Sequence, residues 1–128
     1  LLSGIGLWLD ALGDIAHFYG KFWWYDQTMH LLGGGIVMAV AFSILYTLRG
    51  RLNLPIFALL ILALGFVALV GTFYEIEEYL EDRFWHGRQV RLGNGPDTAD
   101  DLMWNLIGGV MVSVIYYGAL RFFETSRS

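Results

Sequence analysis

The sequence has no cysteine, two prolines, and only eight lysines and arginines in 128 residues. Without cysteine there can be no disulfide, thiolate metal site or cysteine nucleophile. The shortage of basic residues, with a net charge of −4, argues against a nucleic-acid partner. The chemical motifs of the common soluble enzymes are also missing. There is no glycine-rich loop ending in Lys-Ser/Thr, no nucleophile elbow and no His-Glu-x-x-His. A secretory leader is not evident either, because the first apolar stretch lacks a basic start and a small-residue cleavage site.

What the chain has in excess is apolar surface. Hydrophobic residues make up 56% and aromatics 16%, with mean hydropathy +0.53. Soluble domains reach about 45–50% apolar only when glycine is counted, and this chain carries 16 glycines besides. The length fits one domain, residues 1–128, and the composition makes it an all-α, polytopic membrane protein.

A spanning helix needs about 20 mostly apolar residues. Four stretches qualify, at about 1–20, 26–48, 55–83 and 97–123, which predicts a four-helix transmembrane bundle. Pro55 suits the first turn of the third helix, and Asp97 suits the N-cap of the fourth. At 1.5 Å per residue the third helix is about 43 Å long, so its acidic end should emerge from a hydrocarbon core of about 30 Å. Small residues at Gly35, Ala39 and Ser43, and again at Gly109 and Ser113, recur at four-residue spacing and favour close helix contact.

Four alternating spans define two sides. Side A carries Arg49, Arg51, Arg121 and Arg127, and side B carries Lys21, Arg83, Arg88 and Arg91. The basic residues tie, so the positive-inside rule does not decide. The very short loop holding Arg49 and Arg51 points to side A as cytoplasmic. The acids are distributed quite differently: of 12, every one except Glu124 falls in the side-B half.

Their spacing gives each helix one polar stripe. Asp10, Asp14 and His17 are at i, i+4 and i+7. Asp26 and His30 are at i, i+4. Glu75, Glu78 and Asp82 are at i, i+3 and i+7. Asp97, Asp101 and Asn105 are at i, i+4 and i+8. Residues so spaced share a helix face. A charge at mid-bilayer costs about 2.5–3.5 kcal/mol on insertion scales, so these stripes should face one another rather than lipid. Trp23, Trp24, Tyr25, Tyr79 and Trp85 fall at the same level, as an interfacial aromatic belt does.

Carboxylates mixed with imidazole suit a divalent ion such as Mg, Mn, Zn or Fe. Carboxylate-bridged four-helix sites use related inward stripes, although none of the present spacings is their standard one. The expected metal ligands are Asp26, His30, Glu75, Glu78, Asp97 and Asp101, with Asp10, Asp14 and His17 as a second set. Asp97, Asp101 and Asn105 are the expected catalytic group. Two competing readings stay open. Crowded carboxylates also exchange protons without metal. Alternatively the acids simply pair with Arg83, Arg88 and Arg91 to hold the helices together.

Three segments taken together carry a family resemblance. They are Tyr25-Asp26-x-x-x-His30, Tyr74-Glu75-x-x-Glu78, and Gly95-x-Asp97-x-x-x-Asp101-x-x-x-Asn105-x-x-Gly108-Gly109. In order and spacing this resembles the YjdF family of bacterial inner-membrane proteins and, more distantly, VanZ-like proteins. The likeness covers about residues 25–110. The family's Gly-Asp is Gly-Pro-Asp here, and the Asp10, Asp14, His17 stripe has no counterpart. The resemblance implies a multi-pass protein of the bacterial inner membrane, in a family whose members usually carry further spans. VanZ-like proteins are associated with glycopeptide resistance, which implies envelope-lipid or cell-wall chemistry. The expected function is therefore that of a membrane protein with a cation-binding polar site near side B, and its sharper form is a metal-dependent enzyme acting on a membrane lipid-linked phosphate. A cation or proton-coupled carrier, and a subunit whose charges only pair helices, are the alternatives.

Overall fold

A computed structural model describes residues 2–88 and 95–126, except for the side chains of Leu2, Ser3, Leu7, Asp10, Asp14 and Glu124. The described residues form helices α1 (Leu2–Ile15), α2 (Phe18–Lys21), α3 (Tyr25–Thr47), α4 (Arg49–Leu52), α5 (Ile56–Glu81) and α6 (Gly95–Thr125). A π-helical turn, Asp82–His86, extends α5.

Three stretches are long and apolar enough to cross a membrane: Tyr25–Thr47, Ile56–His86 and Gly95–Phe123. The longest, Ile56–His86, has 31 residues. That is about 46 Å, well beyond a hydrocarbon core of about 30 Å. Each long helix turns large apolar side chains outward, among them Ile44, Phe57, Phe66, Val114 and Ile115. Only 11% of the most apolar window of α6 is buried inside the protein. Water would not tolerate such a surface, whereas lipid chains would.

The expected first span over 1–20 does not form as one helix. α1 has 14 residues, about 21 Å, too short to cross alone. It ends before His17, which has left-handed backbone angles (φ 55°, ψ 39°), and the short α2 follows. The break removes His17 from the face it would share with Asp10 and Asp14. α1 instead lies along α3, where a Cβ on Gly6 would stand 2.9 Å from Ile36 Cδ1. Tyr25 fastens the arrangement: its hydroxyl donates to Leu9 O at 2.7 Å. The Phe18 and Tyr19 rings pack edge-on against Tyr25, with centroids 5.4 Å and 5.1 Å away.

The other boundaries shift by a turn or less. α6 starts at Gly95, so Asp97 lies in its first turn rather than at its N-cap. There its charge still favours the positive helix end. Pro55, expected inside the third helix, is its extended N-cap (φ −67°, ψ 154°).

The close helix crossing uses Gly34 and Gly108, neighbours of the small-residue rows that the spacing favoured. A Cβ on Gly34 would collide with the backbone of Asn105, and one on Gly108 with the backbone of Leu31. The next residue, Gly109, turns to α5, where its Cβ would stand 3.0 Å from Leu64 Cδ2 and 3.2 Å from Val67 Cγ2. Adjacent glycines thus let one helix press on two neighbours. Towards side A the three helices enclose an apolar core of Met38, Phe42, Leu59, Leu60, Ala63 and Val67. Towards side B they enclose the polar residues.

Candidate metal-binding site

Helix geometry brings three polar residues to one depth. His30 lies five residues inside the start of α3, Asp101 six inside α6, and Glu75 six before the end of α5. His30 and Asp101 are therefore about 7.5 and 9 Å along their helices from the side-B end, and Glu75 is about 9 Å from the end of α5, before the π-helical turn. All three are buried, with relative exposures of 9%, 5% and 6%.

His30 is the centre. Its Nε2 is 3.5 Å from Asp26 Oδ1, one turn earlier on α3. It is also 3.5 Å from Asp101 Oδ1, which arrives from α6. The opposite ring nitrogen, Nδ1, is 3.2 Å from Asn105 Nδ2. The Tyr74 ring of α5 meets the imidazole nearly perpendicular, at 83° with centroids 5.9 Å apart. The imidazole is thus held from three helices.

The donor atoms of Asp26, His30 and Asp101 all lie within 4.8 Å of one another. Two ligands about 2.1 Å from one ion at a tetrahedral angle stand about 3.4 Å apart. The 3.5 Å separations from His30 to each carboxylate match that edge. Glu75 adjoins the group and acts electrostatically on His30, Asp26 and Asp101. Its carboxylate hydrogen-bonds with Thr98, yet its buried Oε1 has no hydrogen-bond partner. A buried polar atom left so costs about 1–3 kcal/mol, more if charged. Oε1 is therefore a buried oxygen beside the group that lacks a hydrogen-bond donor, although Glu75 is not among the three converging residues.

The other expected ligands stand farther out. Glu78 is half-buried and Asp97 is exposed, and neither belongs to the converging group. Asp97 still acts electrostatically on Glu75 and Asp101. In the second expected set, His17 is exposed at the break after α1. The Asp10 and Asp14 side chains lie outside the described residues. Asn105 is buried at 7% exposure and contacts His30, which gives it a place behind the imidazole.

Of the arginines expected to pair with the acids, Arg83 donates to Tyr79 Oη at 3.2 Å, and Lys21, also at side B, donates to Ala16 O at 3.0 Å. Arg88 is exposed, and Arg91 lies outside the described residues.

Several participants escaped the sequence reading. Thr98 had no stripe to mark it. Tyr74 was visible only as part of the family resemblance. Gly71 gave no local signal: a Cβ there would stand 2.9 Å from Asn105 Nδ2. Asp82 was seen as part of a stripe but not as a ligand, and it is buried at 5% exposure in the π-helical turn.

The sequence model of one protein family, described as a predicted membrane protein (DUF2238), matches residues 2–122. The chain belongs to the DUF2238 family. A relative from Thermotoga maritima, described as an uncharacterized protein, is 28% identical over 123 residues. The match covers 93% of the present chain and 62% of that protein, so the DUF2238 chain spans less than two thirds of its relative's length. No solved structure matches. The description of this DUF2238 protein's family agrees with its three long apolar helices.

Proposed function

We propose that this protein holds a divalent metal ion within the membrane, near one face, through Asp26, His30 and Asp101, with Glu75 as a further ligand. The observation that carries the reading is the approach of carboxylates from two helices to His30 Nε2 at the spacing of ligands around one ion, beside a buried Glu75 Oε1 without a partner. One nitrogen and several oxygens suit Mn, Fe or Zn, and Mg less well because of the imidazole.

The finer reading is a metal-dependent enzyme on a lipid-linked phosphate, in a bacterial inner membrane. Two features support it. The site lies within about 9 Å of the starts of α3 and α6, near the level of lipid headgroups. The resemblance of the Asp26–His30, Glu75–Glu78 and Asp97–Asn105 segments to YjdF and VanZ-like proteins also points to envelope lipids. When bound, a metal would polarise a phosphoryl oxygen or activate water. Asp97, exposed at the mouth of the group, would face the incoming headgroup.

A carrier is less well supported, because the core towards side A is apolar. Met38, Leu59 and Ala63 there have no exposed surface, and Val67 and Phe42 have almost none. Among the described residues the polar groups beside that core are few, Ser113 bonded to Gly109 O and Tyr46 and Tyr116 packed at its edge, and none of them is charged. A purely structural role is supported by the same His30 contacts, since they tie α3 to α6.

The test uses the full chain in lipid nanodiscs, with polyprenyl and diacylglycerol phosphate esters offered in turn. Headgroup release that needs one divalent metal and is abolished by Asp101→Asn supports the enzyme. Metal binding without turnover of any ester leaves the metal site and removes the enzyme.

A further inference from the structure

Asn105 sits behind His30, on the side away from the carboxylates, and glycines border both ends of its amide. Gly71 of α5 adjoins Nδ2 and Gly33 of α3 adjoins Oδ1. Cβ atoms added there would stand 2.9 Å and 3.9 Å from those atoms. Gly34 brings the two helices together at the Asn105 backbone. The side chain is buried, and no Cβ stands at either of these two positions beside its amide.

The hydrogen-bond direction has a consequence. Nδ2 is a donor only. Standing 3.2 Å from His30 Nδ1, it requires a lone pair on Nδ1. A neutral ring then carries its proton on Nε2, aimed between Asp26 Oδ1 and Asp101 Oδ1. A metal ligand needs the opposite arrangement. Nε2 must present its lone pair to the ion, and the ring's single proton must reside on Nδ1, where it needs an acceptor. An asparagine amide supplies that acceptor by turning half a revolution, so that Oδ1 replaces Nδ2.

We propose that Asn105 is a positioning residue that selects the His30 tautomer: it donates to Nδ1 in the metal-free site and accepts from Nδ1–H when Nε2 binds a divalent ion. The proposal rests on the metal-site reading for its second half only. The ring holds one proton before and after: Nε2–H gives its proton to a neighbouring carboxylate or water, and Nδ1 takes one from water, so the count balances with solvent as the carrier. Asparagine is suited to this because aspartate only accepts and leucine does neither.

The test is nitrogen NMR of full-length protein with labelled histidine, in which the exposed His17 and His86 are replaced by glutamine. Metal-free protein is expected to show the proton on Nε2, and zinc-loaded protein to show it on Nδ1. Asn105→Asp should place the proton on Nδ1 even without metal. Asn105→Leu should weaken zinc binding by about 10–100-fold, as loss of a ligand's hydrogen-bond partner does, while Asn105→Asp should not. A metal-free wild type protonated at Nδ1, alone or at both nitrogens, would overturn the proposal. So would an unchanged tautomer in folded Asn105→Asp. If the variants do not fold, wild-type spectra with and without zinc still decide. If zinc leaves the wild-type ring signals unmoved, the metal reading fails, and the metal-free comparison still determines whether Asn105 selects the tautomer.

Discussion

Asp101 of α6 and His30 of α3 meet at 3.5 Å between groups that are each more than nine-tenths buried. This contact joins the two most extensively packed helices at the level where Glu75 arrives from α5. Elsewhere in the bundle α3 and α6 meet mainly through glycine and apolar side chains. The energetic and chemical consequences of altering the site therefore separate from those of altering the packing.

The first prediction concerns that separation within the acidic stripes. Asp101→Asn keeps the shape of the side chain and removes a ligand charge, so divalent-metal binding should fall by at least tenfold. Glu78→Gln alters a half-buried residue outside the converging group and should leave affinity within about threefold. Calorimetric titration of the detergent-solubilised variants measures both. Equal loss from the two would place Glu78 among the ligands.

The second prediction concerns the helix crossing. Gly34→Ala drives a methyl group into the backbone of Asn105, where no flexible side chain can yield. Overpacking of that kind costs about 1–3 kcal/mol or more. Gly65→Ala, on the same scale of change, meets nothing within 4 Å and should be neutral or stabilising by up to about 1 kcal/mol. Thermal unfolding in one detergent compares them. Equal stabilities would mean that α3 and α6 do not approach as closely as Gly34 implies.

A third prediction follows from Gly71. Its Cβ would stand 2.9 Å from Asn105 Nδ2 and 3.5 Å from Cγ. Because the obstacle is the end of a side chain, Gly71→Ala should fold and displace the amide. Metal affinity should fall severalfold while the melting temperature changes little. A fall in stability with unchanged affinity would make Gly71 a packing residue only.

Orientation gives the fourth. Asn53 lies between α4 and α5 at side A, and Arg88 follows the π-helical turn at side B, both exposed. With no native cysteine, single cysteines at these two positions report cleanly. A membrane-impermeant thiol reagent should label Arg88→Cys in intact cells and Asn53→Cys only after permeabilisation. The reverse pattern would put the acidic site on the cytoplasmic face.

The long helices were legible because their apolar runs are long, and the shared depth of His30, Glu75 and Asp101 was legible from their places near the side-B ends of alternating spans. Spacing could not rank residues within a stripe. Asp97 and Asp101 share a face, but α6 begins at Gly95, so Asp97 is in the first turn and exposed while Asp101 lies beneath the neighbouring helices. Burial along a stripe depends on where the crossing falls, which Gly34 and Gly108 determine from separate helices. The interruption at His17 was not legible either. A histidine with left-handed backbone breaks a run whose side chains alone read as helix.

The measurement that bears most directly on the metal site is the melting temperature of chelator-stripped protein as Mn, Fe, Zn or Mg is added back. Binding only to the folded state stabilises it by about 2.7 kcal/mol at a hundredfold excess over Kd. Wild type should gain several degrees, saturating at one ion per chain, and Asp101→Asn should gain almost nothing while remaining folded. A stripped wild type whose melting temperature none of the four ions changes would contradict the metal site and leave His30 as a tie between α3 and α6.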